Sequence, residues 1–301
     1  MARLGRNRNQ TDCVSSGNTV EYFRFEWQWE TVHQICGMSH RTKRSSYRRS
    51  FGKRVQIEPL AGPPRLVAGC DIAYDKSSTA AYVGIVVLSL SSLELVDYAS
   101  EIGEVAFPYV PGLLSFRESP LLLGAWSRLK AAPDAVMLDG HGIAHPRRFG
   151  LASHFGVMVE KPSIGCAKTS YVGEFQAPGP TAGSYEYIVD NREVVGAVLR
   201  TRDKTAPVYV SAGHMIDLEG SIDMAIRCVR GFVVGMPRMG RPQRAAPTSG
   251  GANIAGEMIS RRPSRGPRYR VPEPTRLANV FANAMRRGET GEAALRRAVQ
   301  A

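Results

Sequence analysis

The sequence is poor in the features that mark several large protein classes. Its five cysteines (Cys13, Cys36, Cys70, Cys166 and Cys228) are odd in number and scattered, with no CxxC pair. That excludes a disulfide framework and a zinc ribbon, and fits a reducing cytosol. No apolar run approaches the roughly 20 residues of a membrane span; the longest is Tyr82 to Leu90. The opening stretch MARLGRNRNQTD has no apolar h-region, so a secretory signal is not expected. Acidic residues are also in deficit, with 27 Asp and Glu against 39 Lys and Arg, a net charge of +12.

That charge is unevenly placed. Residues 1–54 carry 11 basic and 4 acidic side chains, and residues 236–272 carry eight arginines and one glutamate, a net +7 in each. The stretch between them is slightly acidic. Basic appendages on such a body suit a polyanion, because Lys and Arg gain free energy by releasing phosphate counterions. A solvated Arg-rich tail accounts for the composition equally well. Residues 237–267 are rich in Pro, Gly, Ser and Arg and read as a disordered insertion. In the basic N-terminal extension only Tyr22 to Ile35 could form a short amphipathic helix.

Residues 63–235 have the apolar patterning of a folded core. Leu66–Tyr74, Ala80–Leu90 and Leu93–Ile102 read as three antiparallel strands with short links. A helix is expected over Ser119–Ala131, capped by Ser119 with Pro120 in its first turn. Ala135–Leu138 is a short, fully apolar strand, typical of the middle of a parallel sheet. Pro146–Phe155 looks helical and Gly156–Val159 extended. Tyr185–Val189 and Glu193–Arg200 flank Asp190-Asn191-Arg192 as a hairpin, Pro207–Ser211 forms another strand, and Leu218–Val229 another helix. The sum is an α/β fold, a ribonuclease H-like mixed sheet with three antiparallel strands, then parallel strands, and helices on both faces.

Three acids stand where acids are costly. Asp71 interrupts the apolar strand VAGCDIAY, Asp139 ends AVMLD, and Glu118 precedes the expected helix. A carboxylate in a central strand costs several kcal/mol unless it is paired or metal-bound. If the first and fourth strands are neighbours, Asp71 and Asp139 meet, and Glu118 closes the cluster. Three carboxylates at one spot repel, and Mg²⁺ or Mn²⁺ is the simplest resolution. Such a site suits phosphodiester hydrolysis. Taken singly, each acid is more often a turn or cap residue.

Around Asp139 runs DGHGIAHPRRFGLASH. Gly140 and Gly142 would let the backbone approach a ligand, and His145, Arg147 and Arg148 could contact phosphate. A zinc site on His141, His145 and His154 is disfavoured, because the run is a loop and nothing completes a tetrahedral set. Lys168, after the Gly turn of PSIGCAK, could bind a scissile phosphate, or be an ordinary surface lysine. In Pro108-Tyr109-Val110-Pro111-Gly112 two prolines stiffen a loop, so that Tyr109 is either a wedge between bases or a core residue.

The segments VAGCDIAYD, PYVPGLLSFRESP, DAVMLDGHGIAHPRRFGLASHFGV, PSIGCAK, VSAGHMIDLEGSI and RYRVPEPTRLAN together resemble the successive motifs of the endonuclease V (deoxyinosine 3′-endonuclease) family. The resemblance covers about 63–231 and 268–287, a core of 55–236 completed by 268–288, with 289–301 left as a tail. It implies a Mg²⁺-dependent enzyme, with Mn²⁺ able to substitute. It implies metal-binding acids at Asp71, Glu118 and Asp139, a catalytic lysine at Lys168, and a wedge at Pro108, Tyr109, Val110 and Pro111. Gly112, Leu114 and Gly140 match positions lining the hypoxanthine pocket, and His145 matches a histidine beside the phosphate. Asn279 stands where the family usually has His or Asp supporting the metal.

The implied activity, in DNA repair, is nicking at the second phosphodiester 3′ to a deoxyinosine in DNA; some members prefer inosine in RNA. A cytoplasmic monomer without a membrane partner is expected. The physics is compatible, since hypoxanthine offers a C6 oxygen and an N1 proton that backbone groups can read, and a mispaired base is easier to extrude. A catalytically weakened inosine-binding module and a protein acting through its basic tails alone are the competing readings.

Overall fold

Apolar residues at nearly every position make the central strands bury both faces, so helices must cover the sheet from two sides. The computed structural model describes residues 51–75, 77–105, 114–229 and 271–300. The expected helix at Tyr22–Ile35, most of the basic extension, the wedge loop and the 237–267 insertion lie outside them.

Strand β1 (Leu66–Tyr74) pairs antiparallel with β2 (Ala80–Ser89), which pairs antiparallel with β3 (Leu95–Glu104). On its other side β1 runs parallel to β4 (Ala135–Leu138), and β4 parallel to β5 (Ser163–Ala167). Antiparallel strands β8 (Val208–His214), β7 (Glu193–Leu199) and β6 (Tyr185–Asp190) complete an eight-stranded sheet of order β3-β2-β1-β4-β5-β8-β7-β6. This is the mixed α/β sheet expected.

Alternation along the strands sorts the core into two layers. Ala68, Cys70, Ile85, Val136 and Leu138 face helices α1 (Leu114–Trp126) and α2 (Leu151–Val159) through Leu122, Trp126, Phe155 and Met158. Val67, Val86, Leu88, Met137 and Ile164 face α3 (Leu218–Arg227), α4 (Glu273–Arg286) and α5 (Gly291–Gln300). Helix α4 presents Leu277, Phe281 and Met285 to this layer at helical spacing. Each such side chain contributes about 1.5–3 kcal/mol by leaving water. Its first turn lies so close to β1 that a Cβ at Gly69 would sit 2.0 Å from the Pro274 carbonyl oxygen.

Several elements differ from the sequence expectation. Helix α1 begins at Leu114, with Pro120 inside it rather than in its first turn. Residues 156–159 continue α2 instead of forming a strand, and the following strand is β5 at Ser163–Ala167. Periodicity cannot separate a buried helix from a buried strand in so apolar a run. Within the stretch expected as a tail, α5 buries Ala294, Leu295 and Ala298 in the core. No helix among the described residues is long and apolar enough to cross a membrane.

Candidate active site

Cys70 on β1 pairs with Leu138 on β4, so Asp71 and Asp139, one step further along parallel neighbours, leave the sheet side by side. Adjacent strands are about 4.8 Å apart. Gly69 and Met137, two residues earlier on each strand, both face the α4 layer, so by alternation both aspartates do too. From α4, 208 residues along the chain, Asn279 donates its side-chain amide to Asp71. Asp71 also accepts the Ile72 amide at 2.8 Å. Lys168, just beyond β5, forms an ion pair with Asp139.

Glu118 reaches the group from the opposite layer. It lies on the second turn of α1, not before the helix as expected, and is only 8% exposed. The Tyr74 hydroxyl, at the end of β1, donates to its Oε1 at 2.8 Å.

The electrostatics record how closely these groups interact. Burial pushes the Glu118 carboxyl up to about 8; the Tyr74 hydrogen bond opposes this, and the charges of Asp71 and Asp139 add to it. Burial, then Asp139, pushes Asp71 up to about 6 against the pull of Asn279. Lys168 loses by burial but is held above the ordinary lysine value by Asp139 and Asp71. Neighbouring carboxylates thus add to the cost of ionising Asp71 and Glu118, and the Lys168 ammonium offsets part of it at Asp71.

That donor set fits a hard divalent cation: three carboxylates and the side-chain oxygen of Asn279. Among the described residues no three Asp, Glu, His or Cys side chains already converge at ligating distance. Asp71 is turned to Asn279, Asp139 to Lys168 and Glu118 to Tyr74.

The remaining expected residues are distributed as follows. Leu114 opens α1, half-buried, and Gly140 follows Asp139 directly. His145 is buried, and its Nδ1 accepts the Arg147 amide at 3.2 Å. Pro108, Tyr109, Val110, Pro111 and Gly112 lie outside the described residues. Arg148 is bound to Asp190 and Glu193 at 2.8 and 2.7 Å, which ties it to the β6–β7 hairpin rather than to a phosphate. Gly142 approaches protein, not ligand: a Cβ there would meet the Ala212 carbonyl oxygen of β8 at 2.0 Å. His154 packs against Phe116 and Phe149, so it does not join His141 and His145 in a zinc site.

Two residues escaped the sequence reading. Tyr74 is read there only as the end of a strand. Tyr171, 45% exposed, stacks on His141 at 5.9 Å and meets His145 edge-on at 5.3 Å. An exposed aromatic three residues after Lys168 was the available signal.

The family model for Endonuclease V matches residues 49–246. The chain belongs to the Endonuclease V family. It is an endonuclease of that type, and its curated relatives include Endonuclease V of Roseiflexus sp. (strain RS-1), 51% identical over 230 residues, covering 76% of this chain and 86% of the relative. Endonuclease V of Streptomyces avermitilis has a solved structure that superposes with a TM-score of 0.68 at 32% identity, covering 83% of this chain and 95% of that one. The Ciona intestinalis Endonuclease V, solved in complex with a 24mer DNA containing an inosine followed by a ribo-adenosine, shares the fold, with a TM-score of 0.62 at 22% identity over 82% of this chain and 97% of that one.

Proposed function

We propose that this protein is a divalent-cation-dependent endonuclease of DNA repair that recognises inosine in DNA and nicks the strand at the second phosphodiester 3′ to it, leaving 3′-hydroxyl and 5′-phosphate ends. The observation that carries the reading is the emergence of Asp71 and Asp139 from matched positions of adjacent parallel strands, with Glu118 and Lys168 acting on them. The Ciona protein's complex with inosine-containing DNA supports the choice of lesion.

Asp71, Glu118, Asp139 and Asn279 would hold the cation, Mg²⁺ or Mn²⁺. Bound there, it supplies Lewis acidity to the scissile phosphate. The chain's residues do the remainder. Lys168 keeps its charge through the working pH range and places it beside Asp139, where a phosphate oxygen approaches. His145 approaches the neighbouring phosphate. Gly112, Leu114 and Gly140 line the pocket for the flipped base, read by backbone groups that tell a C6 oxygen and an N1 proton from adenine's reversed pattern. Pro108, Tyr109, Val110 and Pro111 fill the gap left in the strand. The protein acts as a monomer in the cytoplasm, where its buried thiols Cys70, Cys166 and Cys228 stay reduced.

The test is strand nicking by the full chain with Mg²⁺, on matched duplex DNA, single-stranded DNA and RNA each bearing one inosine. A nick at the second phosphodiester in the inosine duplex, absent with adenine and lost in Asp139→Asn, is the expected result. Tight, Mg²⁺-stimulated binding without product would assign a binding module instead. Preference for the RNA would move the substrate class.

A further inference from the structure

Strand β1 contributes to the acidic site twice. Asp71 leaves it toward the α4 layer. Tyr74, three residues on, projects toward the α1 layer, where its hydroxyl donates to Glu118 Oε1 at 2.8 Å. The tyrosine is itself held from above: the Arg117 guanidinium carbon lies 4.6 Å from the centre of its ring. Such stacking restrains the ring and favours the cation over the π face. A single phenolic proton satisfies one lone pair of Oε1 and leaves Oε2 uncommitted to Tyr74. The bond also links the α1 acid to the strand that carries Asp71, so the two layers meet through it.

We propose that Tyr74, clamped beneath Arg117, is a positioning residue that fixes the Glu118 carboxylate for a divalent cation. The inference rests on the proposed cation site. A free glutamate side chain samples several rotamers, and only those aimed at Asp71 and Asp139 can ligate together. The hydroxyl removes part of that freedom before any cation arrives. Carboxylate ligands are commonly oriented in this way, and loss of the orienting partner weakens metal binding by about 10–100-fold.

The experiment is calorimetric titration of the full-length protein with Mn²⁺ alone, with no nucleic acid present. Tyr74→Phe keeps the ring and its stacking and removes only the hydroxyl; its Mn²⁺ Kd should rise about 10-fold or more. In a Glu118→Gln background the same substitution should change the Kd by less than about twofold, because the acid it orients is gone. Arg117→Met, which keeps a stem of similar length over the ring without the charge, should weaken binding by a smaller factor than Tyr74→Phe. Melting in chelator separates this from general damage: the Kd change should persist in Tyr74→Phe protein that melts at the wild-type temperature. Wild-type Mn²⁺ affinity in Tyr74→Phe overturns the inference, as does an equal loss in the Glu118→Gln background, which would mark a purely structural role. Wild-type protein that binds no Mn²⁺ overturns the cation site itself, a distinguishable failure.

Discussion

Substituting Gly69 by alanine should damage the site without touching any of its acids. A Cβ at Gly69 would lie 2.0 Å from the Pro274 carbonyl oxygen and 2.1 Å from its carbon, whereas ordinary contact begins at 3.4 Å. Both atoms are backbone, in the first turn of α4, so no side chain can swing aside. The helix start must retreat by roughly 1.4 Å, or β1 must bend by a similar amount. Overpacking of this kind costs about 1–3 kcal/mol, and more where backbone meets backbone. Asn279 lies on the same helix and loses its hold on Asp71. A displacement of about 1 Å at a catalytic group lowers rate by about 100-fold. Urea denaturation with single-turnover nicking measures both effects: a lower midpoint at unchanged slope, and a rate down by about two orders of magnitude. Gly62→Ala is the matched control, since a Cβ there meets nothing within 4 Å. Wild-type midpoint and rate in Gly69→Ala would refute the packing argument.

Other consequences follow from the same geometry. Asp71 and Glu118 titrate in the folded protein near 6 and 8, above the ordinary carboxylate values of 3.8 and 4.5. The native state therefore holds more protons than the unfolded one between about pH 4 and 8, and in chelator the melting temperature should fall as pH rises through that window. Saturating Mg²⁺ should flatten the dependence, and a melting temperature that climbs from pH 5 to 8 in chelator would contradict it. Asn279→Asp exchanges an amide donor for a fourth carboxylate beside Asp71. It should melt lower than wild type in chelator yet show the larger Mg²⁺-induced rise, read by scanning calorimetry with and without the cation. Lys168→Met should cut single-turnover nicking by about 100-fold or more. Its stability cost should shrink as pH climbs past the ordinary lysine value of 10.5, because a raised lysine stabilises the fold only while protonated.

Much of this architecture is legible in the amino-acid order. Strands β1, β2 and β4 are continuous apolar runs that only a doubly covered sheet accommodates, and in β1 and β4 the run is broken or ended by an acid. The pairing of β1 with β4 then places Asp71 beside Asp139 without further information. What is not legible is long-range. Nothing in PEPTRLAN says that its helix docks on Gly69, or that Asn279 reaches an aspartate 208 residues away. The α1 boundary is misplaced because proline suits a first turn, yet Pro120 sits within the helix, where it has no N–H to offer the helical ladder. That displacement moved Glu118 from a helix start to a helix face, where it is buried against Tyr74. In α2, the run LASHFGVMV carries too little polarity for its period to be read, so half of it resembled a strand. Arg148 resembled a phosphate ligand by composition, but the β6–β7 hairpin that binds it is distant in sequence.

The central claim is that Asp71, Glu118 and Asp139 share one divalent cation. Anomalous diffraction from crystals grown with Mn²⁺ tests it directly. The account predicts a strong peak at about 2.0–2.3 Å from carboxylate oxygens of all three residues. A peak elsewhere, or one bound by only a single member of the trio, would contradict it.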